Sequence, residues 1–198
     1  MTLALTALAE AGLIQFGQFV QPDGSVWPVA LHLRWLPSYP ALLRQVVAAL
    51  VPLLDRVEAD RLLTTADTIA LGVALGLETD LPVVYPYGAV REYTAAFAIE
   101  GAYDVGHPTV LLSDVLTDAG QARQITALAR RVGLEVRAIL AVVDLDLGAR
   151  ETLAGDGCDV HSVADLPAML PLLEHSGYLP PAMRATVEAW HAAIRRST

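Results

Sequence analysis

The hydrophobic pattern along the chain changes period several times, and each change marks an element. From Thr2 to Leu13, apolar residues at Leu5, Leu8, Ala9 and Gly12 recur at helical spacing, which predicts an amphipathic helix. Two β-prone runs follow, QFGQFV and VWPVALHL, and the PDGS between them is a turn signal that predicts a hairpin. Pro28 in the second run points to an edge position, because proline has no N–H to give a ladder. Ser38 is the expected cap of a long helix with Leu42, Val46, Ala49, Leu50 and Leu53 as its buried stripe, kinked or shortened by Pro52.

From Arg61 onward the rhythm becomes β-α-β. RLLTT precedes the helical ADTIALGVALGL, LPVVYPY precedes a polar patch to Arg91 and Glu92, and YTAAFAIE leads to a turn at Gly101 to Gly106. PTVLLSDVL, the helix QARQITALARRVG and the strand VRAILAVVDL come next, with Gly133 as a C-cap glycine. Continuous apolar runs such as TVLL and AILAVV suit parallel strands covered on both faces. The tail alternates again through CDVHSV and ADLPAMLPLLEHSG and finishes in a helix from about Pro181. No repeat or linker divides the chain, so residues 1–198 read as one α/β domain.

Composition narrows the function classes. With 54% apolar and 18% charged residues in 198, the chain supports a large core. All 13 basic residues are Arg, against 22 Asp and Glu, for a net charge of −9. No nucleic-acid partner is expected of so acidic a chain, because backbone phosphates must be met by clustered cations. Cys158 is the only cysteine, which excludes an intramolecular disulfide. The five histidines show no ligand spacing, so no metal site is expected from the protein's own side chains. The N-terminus lacks a basic region before its apolar stretch, and no run approaches the roughly 18 apolar residues of a membrane span. The expectation is a cytoplasmic protein that binds no membrane.

The chemistry concentrates in TVLLSDVLTDAGQ, residues 109–121. An apolar strand, an acid near its end, a short loop with Thr and Gly and then a helix start is the arrangement that binds phosphorylated ligands at the carboxyl edge of an open α/β sheet. The segment resembles the phosphoribosyl-pyrophosphate motif of type I phosphoribosyltransferases. Phe16, Gly17, Phe19, Gly24, Pro28 and Arg34 are similar to the opening hairpin of the orotate phosphoribosyltransferases, LPVVY and Ile99–Gly101 to the segments flanking that family's mobile catalytic loop, and VVDLDLGA to a later strand end. The similarity runs over roughly residues 5 to 180 in order. It implies a type I phosphoribosyltransferase-like fold: an open five-strand parallel sheet flanked by helices. Residues 1–37 would form the N-terminal helix and hood hairpin, and residues 38–198 the α/β core and C-terminal helix. It also implies a homodimer and, for an active enzyme, Mg²⁺ with phosphoribosyl pyrophosphate (PRPP).

The chain departs from the family's pattern at the positions that carry the chemistry. The adjacent acidic pair that grips the ribose hydroxyls is here Ser113 and Asp114, so one acid remains. The Thr-Thr-Gly-Gly-Ser phosphate loop is replaced by Thr117, Asp118, Ala119, Gly120 and Gln121. A carboxylate at Asp118 facing a phosphate would cost roughly 1 to 4 kcal/mol, whereas as a cap of the next helix it would stabilise; the cap is the favoured reading. The catalytic loop, rich in Lys and Arg in the family, reads YPYGAVREYTAAF and retains Arg91 as its cation. Thr64 to Thr68, TTADT, lacks the family's glycine-rich turn, and Pro22 stands where a Lys precedes the Ser-Gly turn.

Each candidate therefore has two readings. Asp114 either steadies a ribose or satisfies loop amides; Thr117 and Gly120 either contact phosphate or shape the loop. Arg34 orients a base carboxylate or forms an ion pair, and Arg91 meets pyrophosphate or solvent. Tyr85, Tyr87 and Tyr93 wall a base or pack, Thr65 belongs to the altered pyrophosphate turn, and Asp144 caps the turn after its strand. Cys158 and His161 read as buried or strand-end residues, and Trp27, Trp35 and Trp190 as core or dimer-contact groups. The favoured function is an orotate phosphoribosyltransferase-like protein with reduced or lost transfer that retains a ribose-phosphate or nucleotide site. The alternative is an active Mg²⁺-dependent transferase joining PRPP to orotate or a related base.

Overall fold

The computed structural model describes residues 2–86 and 99–196. Helix α1 (Thr2–Glu10) leads into a two-stranded antiparallel hairpin, β1 (Ile14–Val20) and β2 (Val26–Leu31). The predicted turn lies between them, with Asp23 accepting from both the amide and the hydroxyl of Ser25, at 2.9 and 2.7 Å. One extra residue is inserted in β1: Phe16 pairs with Val29 and Phe19 with Trp27. This bulge breaks the period of two and puts Phe16 and Phe19 on one face.

Ser38 does not cap the next helix. Residues Leu33–Ser38 form a 3₁₀ turn and α2 (Pro40–Leu54) begins after Tyr39, with Pro40 in the first turn, where the missing N–H has no intrahelical partner to lose. The buried stripe is Val46, Val47, Leu50 and Leu54, so Ala49 and Leu53 lie at its margin rather than at its centre. Pro52 lies one turn from the C-terminus on the exposed side, and the helix stops two residues later.

The main sheet has six strands in the order β5-β4-β3-β6-β7-β8: β3 (Arg61–Leu63), β4 (Val83–Pro86), β5 (Ile99–Glu100), β6 (Pro108–Leu116), β7 (Glu135–Asp144) and β8 (Asp159–Asp165). Five are parallel, and the short edge strand β5 runs antiparallel to β4. Helices α3 (Ile69–Thr79), α4 (Gly120–Arg131), α5 (Ala149–Gly155), α6 (Leu166–His175) and α7 (Pro181–Arg195) complete the fold.

Both faces of the sheet are dry. Val110 and Leu112 of β6, with Leu140 and Val142 of β7, join the core that holds α1, α2, α3 and α6. Leu111, Ile139 and Ala141 point the other way, into a second core with α4 and α5. Helix α4 ends where Gly133 reaches φ 94°, with Gly133 N–H donating to Arg130 O and Leu134 N–H to Ala129 O, both at 3.1 Å. Trp27 of the hairpin meets Trp190 of α7 with ring centroids 5.2 Å apart, tying the hood to the core.

Candidate functional site

Side-chain parity in β6 positions the first group. Asp114 has the parity of Val110 and Leu112 and so faces the hairpin side of the sheet, whereas Ser113 has the parity of Leu111 and is buried toward α4. Beside the strand end, Thr117 is half-buried. Asp114 and Thr117 line a cleft of about 430 Å³ between the carboxyl edge of the sheet and the hood. Arg34, from the 3₁₀ turn after β2, lines it too, so three of the predicted residues converge.

The electrostatics of the cleft centre on Asp114. Burial pushes its carboxyl above the ordinary carboxylate range; the Val115 N–H donated to Oδ1 at 2.8 Å opposes that shift, the Asp67 carboxylate adds to it and the Arg34 guanidinium opposes it. Asp67 comes from TTADT, whose turn is tied down from within. Thr65 N–H donates to Thr68 Oγ1 at 2.9 Å, the two hydroxyls lie 3.2 Å apart, and Thr68 Oγ1 donates to Leu112 O at 3.2 Å. Thr65 is thereby buried rather than presented to a ligand, while Asp67, two residues on, lines the cleft.

The phosphate-loop positions behave differently from one another. Asp118 is exposed, and its Oδ1 accepts the Gly120 N–H at 2.6 Å in the turn that leads into α4, whose cap position is taken by Ala119 rather than by Asp118. Ala119 is buried in the α4 core, and Gly120 and Gln121 are exposed at the helix start. Tyr85 is half-buried on β4 and is not among the described residues that line the cleft. Tyr87, Arg91 and Tyr93 lie outside the described residues. Asp144 caps its turn as expected: Oδ1 accepts the Asp146 N–H at 2.8 Å and Oδ2 pairs with Arg150 at 3.0 Å.

The sequence reading missed Asp67, His32 and Leu145 as cleft residues. The signal for Asp67 was present, since any acid in the loop after a parallel strand of this sheet stands at the ligand edge. His32 instead stacks on Trp35, centroids 4.5 Å apart and 11° between planes. Asp67 and Asp114 suit Mg²⁺, which commonly binds one or two carboxylates and takes its other ligands from substrate phosphates and water. Among the described residues no group of three or more His, Cys, Asp or Glu gathers to hold a metal unaided.

No family model matches the chain. Among curated relatives, the orotate phosphoribosyltransferase of Natronomonas pharaonis is 30% identical over 167 residues, which take in 84% of this chain and 95% of that protein. The uridine 5′-monophosphate synthase of Bos taurus is 28% identical over 179 residues, 86% of this chain. The chain spans 36% of that longer relative's length. Among solved structures, the UMP synthase of Leishmania donovani has a TM-score of 0.88 at 29% identity, over 97% of this chain and 42% of that one.

Proposed function

Because the chain belongs to the orotate phosphoribosyltransferase family, we propose that its cleft is a ribose-phosphate site, retained in a protein whose transferase activity is reduced or lost. The observation that carries this reading is the convergence of Asp114, Thr117 and Arg34 on one cleft under the hood. Asp114 would accept hydrogen bonds from the ribose hydroxyls, and Thr117 would donate to the 5-phosphate ahead of α4. Mg²⁺, held with Asp67 and Asp114, would neutralise the pyrophosphate.

Transfer to a base requires that the C1–oxygen bond to pyrophosphate break as a C1–nitrogen bond forms, and the departing anion has to be stabilised. Among the described residues the cleft offers one guanidinium, Arg34, against the carboxylates of Asp67 and Asp114. Arg91 would be the cation for pyrophosphate. Losing one preorganised donor commonly costs about 10²- to 10³-fold in rate, and this chain carries no Lys anywhere. The reading extends to a cytoplasmic homodimer.

Calorimetric titration of PRPP with Mg²⁺ into the full chain tests the site. Micromolar binding is expected, and Asp114→Ala should abolish it; absence of heat with folded protein would overturn the reading. Turnover with orotate of roughly 1 to 10³ per second would instead establish an active transferase.

A further inference from the structure

Helix α7 reaches both walls of the cleft without lining it. Trp190 packs its ring on Trp27, a hood residue that lines the cleft, with centroids 5.2 Å apart. His191, the next residue, turns to the sheet: its side chain is 15% exposed, and Nε2–H donates to the Asp146 carbonyl at 2.9 Å. One turn further on, Arg195 Nη1 donates to the same carbonyl at 3.3 Å and to Asp146 Oδ1 at 3.0 Å.

The residue held in this way has an uncommon backbone. Asp146 has φ 54°, in the left-handed region that residues with a Cβ seldom adopt, and its N–H is taken by Asp144 Oδ1 at 2.8 Å. Such a conformation persists where surrounding bonds over-determine it. Inside the bend, Leu145 lines the cleft and gives its N–H to Leu116 O at 2.9 Å; Thr117, which follows Leu116, lines the cleft as well. Two cleft residues therefore hang on a bend whose carbonyl is tied to α7. Without the imidazole that carbonyl keeps only the longer bond from Arg195.

Resting on the ribose-phosphate reading above, we propose that His191 is a positioning residue for this site, holding the Asp146 bend, and through it Leu145 and the Leu116–Thr117 strand end, in the arrangement that receives the ligand. Trp190 braces the hood wall from the same turn of helix, so α7 sets the distance between the two walls.

The test titrates PRPP with Mg²⁺ calorimetrically into the full chain and its variants. His191→Leu fills the space without a donor and should weaken binding about fivefold or more, the scale of one lost hydrogen bond. His191→Gln, whose amide can donate to the same carbonyl, should restore affinity to within about twofold. Glu188→Gly loosens α7 at an exposed position, by removing a pair with Arg184 and lowering helix propensity, and should leave affinity within about twofold. In the ligand-free chain, the Leu145 amide should exchange about tenfold faster in His191→Leu, with the mid-strand Leu140 amide unchanged. Unchanged affinity in His191→Leu, no rescue by glutamine, or an equal loss in Glu188→Gly overturns the positioning role and leaves the ribose-phosphate reading standing. Absence of heat from the unsubstituted chain overturns both. If His191→Leu does not fold, Arg195→Met on the last turn of α7 removes the other donor to Asp146 and should weaken binding about twofold or more; unchanged affinity there overturns the role.

Discussion

Asp114 sits half-buried under the hood, where the loss of water raises its carboxyl pKa against the pull of the Val115 amide. Between the unfolded value and the raised folded value the native chain holds more protons than the unfolded chain, so stability falls as pH rises through that window. The contribution is most favourable below the unfolded carboxylate pKa and is lost above the folded one. Asp114→Asn keeps an acceptor for the Val115 N–H and removes the buried charge. It should raise Tm at pH 7 and leave it nearly unchanged at pH 3, as thermal melts at the two pH values would show; a lower Tm at pH 7 would contradict this account. Stability gained there comes from the same group whose charge the ligand needs, the usual conflict between a binding site and its scaffold.

At the scale of elements, the approach of α3 to the sheet decides where the Thr64–Thr68 loop stands. A Cβ on Gly76 would lie 2.7 Å from the Leu81 carbonyl oxygen and 3.0 Å from Val83, and one on Gly72 would collide with Thr64. Glycine to alanine in a helix interior ordinarily stabilises by about 1 kcal/mol. Here overpacking against backbone reverses the sign: Gly76→Ala should cost about 1 to 3 kcal/mol, measured by urea unfolding, and a stabilised variant would refute the close-packing argument. The strands β6 and β7 were legible almost to the residue, because their apolar runs are long and bounded by Gly, Pro and Asp. The start of α2 was not, since Leu33–Ser38 carries no local sign that it winds as a 3₁₀ turn.

For the whole molecule, the apolar groups left exposed point to assembly. Val20 and Val26, a cross-strand pair on the hood, are 74% and 52% exposed, and Trp35 in the following turn is 50% exposed. Burying them in a second copy would remove three exposed apolar side chains from water. Light scattering should therefore return twice the 21.1 kDa chain mass, and the mass of a single chain would overturn the homodimer. No described helix is long and apolar enough to cross a membrane.

Local information was enough for the alternating β-α rhythm, the hairpin turn at Asp23, the Gly133 cap and the place of Asp114 and Thr117 at a strand end, because each depends on periodicity or on backbone geometry within a few residues. The choice of Asp114 over Ser113, the turning of Thr65 inward with Asp67 beside the ligand space, and the meeting of Leu145 with the hood depended on the packed fold. They join residues far apart in the chain, such as Thr68 with Leu112 and Phe19 with Leu145. Which face of a strand meets which layer is settled by packing of the whole sheet, and no window of sequence contains it.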